Sequence, residues 1–282
     1  MRLALVLVLT ACSSSPFDSP QQLGGFEISP DLLEEGRRLY VRNCATCHGV
    51  EGDGNGPSGA ALWPPPRDFR RALFKYAGVA DRGLPSDDEL VRIITGGLEG
   101  TAMVAWDLPE SEVRLIIDYI KSFSPEGKGF RDPGLEVQVP VIPDDPFVKE
   151  PRDAVLRSGR RIYHAVFQCG KCHPAYVPEG TYADGFRGLY PFDPVPKWSE
   201  NFETVLVPPD FLRHPMRSVR RDADGGASAA DLFRVIAYGL QGPMPGHGNL
   251  GVAEIWAAAH YVKWLVDMRG TPEGRELLRS LR

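Results

Sequence analysis

The chain has 282 residues, of which 43% are hydrophobic and 24% charged; these are ordinary globular proportions and exclude a wholly disordered chain or a multi-span membrane protein. The formal net charge is -5 at pH 7, so there is no global basic field for nucleic acid. The 30 Gly and 26 Pro residues predict much loop, and the length suits two modest cores.

Residues 1–11, MRLALVLVLTA, place Arg2 ahead of an apolar run at 3–9. That is the pattern of an export signal peptide, too short to be a stable membrane span. Leu9-Thr10-Ala11-Cys12 resembles the bacterial lipoprotein signal, where cleavage precedes a cysteine that is then acylated. The resemblance implies lipidation at Cys12, each acyl CH₂ buried in the membrane contributing about 0.8 kcal/mol. A plain secretory signal cut slightly downstream is the alternative. Ser13, rather than Asp, follows the cysteine; by analogy with lipoprotein sorting the expectation is the periplasmic side of a bacterial membrane, the outer membrane favoured over the inner. Residues 12–25 are rich in Ser, Pro, Gly and Gln and read as a flexible tether.

The remainder repeats one plan twice. Gly36-Arg37-Arg38-Leu39-Tyr40 returns as Gly159-Arg160-Arg161-Ile162-Tyr163, Asp68-Phe69 as Asp210-Phe211, and Gly97-Leu98-Glu99-Gly100 as Gly239-Leu240-Gln241-Gly242. The domains are read as 26–125 and 151–270, with a Pro-rich linker at 126–150 and a C-terminal tail at 271–282. Helical spacing and start signals predict helices at about 31–43, 86–97 and 109–123, with counterparts at about 151–168, 228–239 and 251–268. Ser86 and Glu89 have capping-box spacing. No convincing alternating strand is present.

Each half carries one C-x-x-C-H motif: Cys44-Ala45-Thr46-Cys47-His48 and Cys169-Gly170-Lys171-Cys172-His173. Two residues between thiols let both sulfurs reach the vinyl groups of one porphyrin, and the adjacent His serves the iron. A single such motif could be a zinc half-site or a redox dithiol. Two copies, each with His, inside a repeat and behind an export signal, point to covalent heme c in each half. A zinc site would also want further ligands, and no cysteine remains for one.

With these motifs the chain resembles the class I cytochromes c. Residues 44–57, CATCHGVEGDGNGP, match the heme loop of that family, and Met103, in Gly-Thr-Ala-Met-Val-Ala-Trp, matches the segment delivering the sixth ligand. The resemblance implies an all-α fold of two tandem domains, each a small loop-rich helical fold around one heme c. It implies His48 and Met103 as iron ligands in the first, with the Pro57 carbonyl accepting from the His48 ring. Gly36 and Tyr40 match the family's helix-crossing pair, the aromatic ring packing against Tyr119.

The second half keeps Gly159, Tyr163, His173, Met244 and Tyr261, but Pro174 follows the motif and the Gly-rich loop is missing. An aromatic insert at about 175–205 takes that place. His173 and Met244 are the expected ligands there, with His247 as rival to Met244. Met216 and Met268 are read as packing residues, and His164, His214 and His260 as surface or polar-core histidines. Arg67, Arg70, Arg71 and Lys75 could pair heme propionates or form a solvated face.

Met ligation at both irons leaves no open site, and thioether sulfur favours ferrous iron and raises the potential. The expected function is a diheme carrier of single electrons between a redox protein donor and acceptor. Two alternatives remain: a diheme enzyme of the peroxidase or thiosulfate-oxidising kind with one open or unusually ligated iron, and a fixed electron-transfer subunit of a larger oxidoreductase. Formal charge is -5 over 26–125, -3 over 126–150 and +3 over 151–282, so the two lobes are expected to steer different partners.

Overall fold

The computed structural model describes residues 16–79, 83–177, 196–199, 204–242 and 244–281. Cys12, the export signal and most of the aromatic insert lie outside the described residues. A hairpin opens the chain, with β1 (Gln21–Leu23) antiparallel to β2 (Phe26–Ile28). Leu23, Ile28 and Leu33 close a small cluster beneath it. Helix α1 (Pro30–Asn43) starts where Ser29 Oγ accepts from the Leu32 N–H and Pro30 takes the first helical position. The four-residue helix α2 (Ala45–His48) follows at once. Then come β3 (Leu84–Pro85), α3 (Asp87–Gly96) and α4 (Glu110–Ser122).

The second lobe repeats the order. Helix α5 (Arg152–Arg161) continues into a π turn at Ile162–Val166, closed by the Phe167 N–H on the Ile162 carbonyl at 2.8 Å. Tyr163 precedes Cys169 by two residues more than Tyr40 precedes Cys44. The widened turn takes up part of that excess before the chain leaves the helix, with Gln168 at φ +55° ahead of the motif. Helices α6 (Ala229–Tyr238) and α7 (Val252–Asp267) complete the lobe. The C-terminal tail holds a helix, α8 (Pro272–Ser280), capped by Thr271 and resting Leu277 and Leu278 on the second core.

In each lobe two helices cross at a glycine, α1 on α4 and α5 on α7. A β-carbon on Gly36 would lie 2.2 Å from the Leu115 carbonyl oxygen, and one on Gly159 would lie 2.1 Å from that of Ala257. Only a hydrogen fits in either crossing. Around them two separate cores form, one with Tyr40, Ile116, Ile117 and Phe69, the other with Tyr163, Tyr261, Leu232 and Leu265. Helix dominates, as expected, and among the described residues strands run to at most three residues.

The segment between the lobes is extended but bound to both. Phe130 is buried in the first core, and β4 (Val137–Gln138) pairs in parallel with β3. Further on, the Tyr238 hydroxyl meets the Val141 backbone, Trp256 Nε1 donates to the Pro143 carbonyl at 3.2 Å, and His260 Nε2 lies 2.8 Å from Asp145.

The lobes meet along α3 and α6 through matching charges. Ser86 and Ser228 cap these helices, accepting from the Glu89 and Asp231 N–H groups. The expected capping box is half present: the Glu89 side chain does not return to the cap but turns into the interface. There Arg92 pairs with Glu89 at 2.9 Å and approaches Asp231 at 4.0 Å, while Arg234 pairs with Glu89 at 3.0 Å and with Asp231. Arg92 also donates to the carbonyls of Ser218 and Tyr76. Beside this quartet, Gln241 crosses to the first lobe, accepting from the Phe74 N–H at 2.9 Å and donating to the Gly83 carbonyl at 3.2 Å.

Two outcomes follow. Gly36→Ala or Gly159→Ala forces helices apart and costs at least about 1–3 kcal/mol, measured by chemical denaturation of the holoprotein. Asp231→Asn leaves buried guanidinium groups unbalanced and costs about 3–5 kcal/mol in the same measurement. Burial pushes the Asp231 carboxyl up, but bonds from Arg220 and the charges of Arg92 and Arg220 outweigh it and hold it below the ordinary 3.8. Its contribution is therefore complete above that value and lost as pH falls below it, a dependence absent from the Asn variant.

Candidate heme sites

Helix α1 delivers the first motif directly. The Cys44 N–H closes on the Tyr40 carbonyl at 2.7 Å, and the His48 N–H on the Cys44 carbonyl at 2.9 Å, so Cys47 and His48 sit one turn after Cys44. The loop after His48 folds back over this turn: Gly54 N–H reaches the His48 carbonyl, Gly56 that of Cys47, and Ser58 that of Thr46. In the second lobe Cys169–Lys171 forms a 3₁₀ turn, and the His173 N–H closes on the Cys169 carbonyl at 2.8 Å.

The helix-crossing tyrosines tie these turns to the core. Tyr40 donates to the Gly49 carbonyl at 2.7 Å, and Tyr163 donates to the Pro174 carbonyl at 2.9 Å. Gly49 and Pro174 each follow the motif histidine. Tyr40 also packs on Tyr119, and Tyr163 on Tyr261, with centroids 5.2 and 5.4 Å apart.

Both motif histidines are held from the same side. His48 Nδ1 lies 3.1 Å from the Arg67 carbonyl, and His173 Nδ1 lies 3.1 Å from the Pro209 carbonyl. The expectation that Pro57 fills this role is corrected here, since Pro57 is exposed and the acceptor is Arg67. Arg67 and Pro209 are repeat mates, each preceding an Asp-Phe pair. Asp68 accepts from the Arg70 N–H and Asp210 from the Leu212 N–H, turning the chain. The next residue then stacks on the histidine: Phe69 on His48 at 4.4 Å, and Phe211 on His173 at 4.8 Å. A backbone acceptor has no side-chain signature, so spacing from the motif does not reveal it; the repeated Asp-Phe pair does mark the place.

A carbonyl can only accept, so Nδ1 carries the proton and Nε2 keeps its lone pair. Burial lowers the pKa of both rings, keeping them neutral at pH 7. Burial pushes the Cys44 and Cys169 thiols up to about 12, opposite to the lowered value of a redox dithiol. None of the four motif cysteines forms a disulfide. Two thiols one turn apart, beside a neutral imidazole with its metal-binding nitrogen uncommitted to Nδ1's bond, are the donor set of a covalently bound heme. Among the described residues no three His, Cys, Asp or Glu side chains converge as a metal-ion site.

Met103 and Met244 occupy corresponding loops. Leu98 N–H bonds the Met103 carbonyl at 2.8 Å, and Leu240 N–H bonds the Met244 carbonyl at 3.1 Å. Gly97 and Gly239 open these loops at φ +65° and +72°, where a β-carbon would strike the returning backbone at 2.5 Å. Trp106 N–H reaches the Ile94 carbonyl, and His247 N–H reaches that of Ile236. His247 is thus the mate of Trp106, and its ring stacks on Phe167 at 4.9 Å. Met216 and Met268 pack against the second core.

The other histidines have separate surroundings. His164 is fully buried on the π turn beside Tyr163 and Tyr261, and burial, then Arg160, push it down to about 4. His214 accepts from the Asp210 N–H, and His260 meets Asp145. Of the four basic residues near the first site, Arg70 is held by Asp68 and Arg71 is exposed. Lys75 and Arg67 are set inward: burial, then Arg217 and Arg67, push the Lys75 ammonium down to about 8, and burial pushes Arg67 down to about 10.

Paired helices crossing over a C-x-x-C-H turn, twice in one chain, define a cytochrome of the c type. The family described as cytochrome c oxidase, cbb3-type, subunit III matches residues 31–120 and again 154–262. The chain belongs to this family, whose cytochrome c domains are electron-transfer heme domains. No curated protein matches the chain. Among solved structures it is similar to a chain of the reducing HAO-like protein complex Kustc0457/Kustc0458 of Kuenenia stuttgartiensis. That match has 29% identity and a TM-score of 0.61, covering 83% of this chain and 96% of the other.

Tyr40→Phe or Tyr163→Phe keeps the ring packing but leaves a buried carbonyl without its donor. Each change should cost about 1–3 kcal/mol and loosen its own heme only, read as altered circular dichroism in the Soret band of that lobe.

Proposed function

We propose that the chain is a periplasmic, lipid-anchored diheme electron carrier. Cys44 and Cys47 hold one heme c and Cys169 and Cys172 a second, with His48 and Met103 as ligands of the first iron and His173 and Met244 of the second. When bound, each heme supplies reversible one-electron chemistry. The chain's own residues fix the ligands: the Arg67 and Pro209 carbonyls hold the imidazole tautomer, Phe69 and Phe211 hold the ring planes, and the Gly97 and Gly239 loops position the sulfurs. Cys12 is the proposed anchor, and redox proteins are the proposed donor and acceptor.

The observation that supports this most is the shared backbone register of the two methionine loops. It sets Met244 opposite Met103 and assigns His247 the place of Trp106. With thioether ligands at both irons, an oxygen- or peroxide-binding position is left in neither lobe. One finding favours a second reading. The similar structure belongs to a complex, which supports a fixed subunit handing electrons to or from a larger oxidoreductase.

The reduced holoprotein should contain two hemes per chain by pyridine hemochrome assay, and its spectrum should be unchanged by carbon monoxide. Met103→Ala and Met244→Ala should each make about half the heme bind carbon monoxide. Binding by half the heme in the unaltered protein would overturn closed ligation at one iron and support the enzyme reading.

A further inference from the structure

Helices α1 and α5 are mates through Gly36 and Gly159, and they differ in how their surface charges are met. On α1, Arg37 donates to Glu34 through Nε and a terminal nitrogen at 2.8 and 2.7 Å, and Arg38 reaches Glu35 at 2.8 Å and Glu34 at 3.4 Å. The same two basic positions on α5 are Arg160 and Arg161. The positions of Glu34 and Glu35 are Arg157 and Ser158. Counting Arg152, four arginines stand on the ten-residue α5 with Asp153 as its single acid.

Among the described residues, no ion pair or side-chain hydrogen bond reaches Arg152, Arg157, Arg160 or Arg161. The Nε of Arg160 is buried with no acceptor, whereas its counterpart on Arg37 is met by Glu34. Arg157 precedes Arg160 and Arg161 by three and four residues, the spacings at which like charges destabilise a helix. Arg152 occupies the helix N-terminus, where the dipole disfavours a cation. Arg152, Arg157 and Arg161 are exposed. Val155 and Gly159 lock the opposite face into the second lobe, so the arginines cannot turn away. A face shaped for solubility would mix signs, as α1 does.

We propose that α5 is the docking surface of the second lobe for an acidic protein partner. Carboxylates on that partner would supply across the interface what Glu34 and Glu35 supply within α1. The planar, five-donor guanidinium suits carboxylate pairing, and interfaces are enriched in arginine. An anionic bilayer suits the face less well, because α5 presents no exposed large apolar side chain with which to enter it. The inference rests on the electron-carrier reading above.

The test uses the full-length holoprotein, with reduced flavodoxin as an acidic one-electron protein and hexaammineruthenium(II) as a cationic reagent. Second-order rates are measured against ionic strength, together with thermal stability. Arg157→Glu restores the α1 pattern. It should raise the melting temperature, lower the low-salt flavodoxin rate about tenfold and flatten its salt dependence, steering being worth factors of about 10–10³. The hexaammineruthenium rate should not fall. Arg157→Lys should keep the flavodoxin rate near that of the unaltered protein, and an Arg157→Gln, Arg161→Gln pair serves if the Glu variant folds poorly. An unchanged salt dependence in the Arg157→Glu variant, or in the double Gln variant, overturns the docking surface while leaving the carrier reading intact. So does loss of binding to phosphatidylglycerol vesicles without loss of the flavodoxin rate, which would assign the face to a membrane. If the unaltered holoprotein exchanges electrons with neither reagent, the carrier reading itself falls.

Discussion

A helix crossing with room for a hydrogen and nothing more underlies each lobe. With the Leu115 carbonyl 2.2 Å from where a methyl group on Gly36 would stand, α1 and α4 are fixed in separation and in rotation. That fixes Tyr40 one turn further on, aimed inward against Tyr119, and its hydroxyl at the Gly49 carbonyl. The turn bearing Cys44, Cys47 and His48 is therefore anchored to the buried core. The same chain of consequences runs from Gly159 through Tyr163 to Pro174 in the second lobe. A site that must hold a porphyrin in one orientation gains from such support, because loop backbone alone would leave the ligands loose.

From the other side, each histidine is constrained by a segment distant in sequence. The Arg67 and Pro209 carbonyls select the tautomer, and the following phenylalanines set the ring plane. Second-sphere contacts of this kind orient a ligand and tune its basicity. The Asp-Phe pair performs the same task at a separation of 20 residues in one lobe and 37 in the other. The longer separation in the second lobe leaves unchanged what arrives at the histidine.

What was legible in the sequence was local. The motifs carry their chemistry in five consecutive residues, and the helices carry theirs in apolar spacing and caps; α1 and α3 begin and end within about a residue of expectation. The pairing of Gly36 with Tyr40 was readable because both residues recur in the second half. Less was readable where the chain acts through its backbone or at long range. The family resemblance implies the Pro57 carbonyl as the histidine's acceptor, yet the acceptor is the Arg67 carbonyl on another segment. The short α8 opens with Thr271-Pro272, a usable start signal, but its apolar side holds few residues. The quartet of Glu89, Arg92, Asp231 and Arg234 reads as two ordinary i,i+3 helix pairs until the lobes are brought together.

That quartet and the α5 arginines show why the two halves match in some places and differ in others. At the interface a charge is buried, so removing one member leaves its partners uncompensated at a cost of about 3–5 kcal/mol. Acid and base accordingly stand at the same positions in α3 and α6. On the outer faces of α1 and α5 an exchange of Glu for Arg shifts helix stability by only about 0.2–0.5 kcal/mol per pair. A surface with so little bearing on the fold is open to being set by what approaches it. The lobes share the residues that hold the cofactor turns and each other, and they differ in the charge they show to solvent. For an electron-transfer heme protein, this division keeps the internal geometry fixed while the charge on each lobe is left to vary.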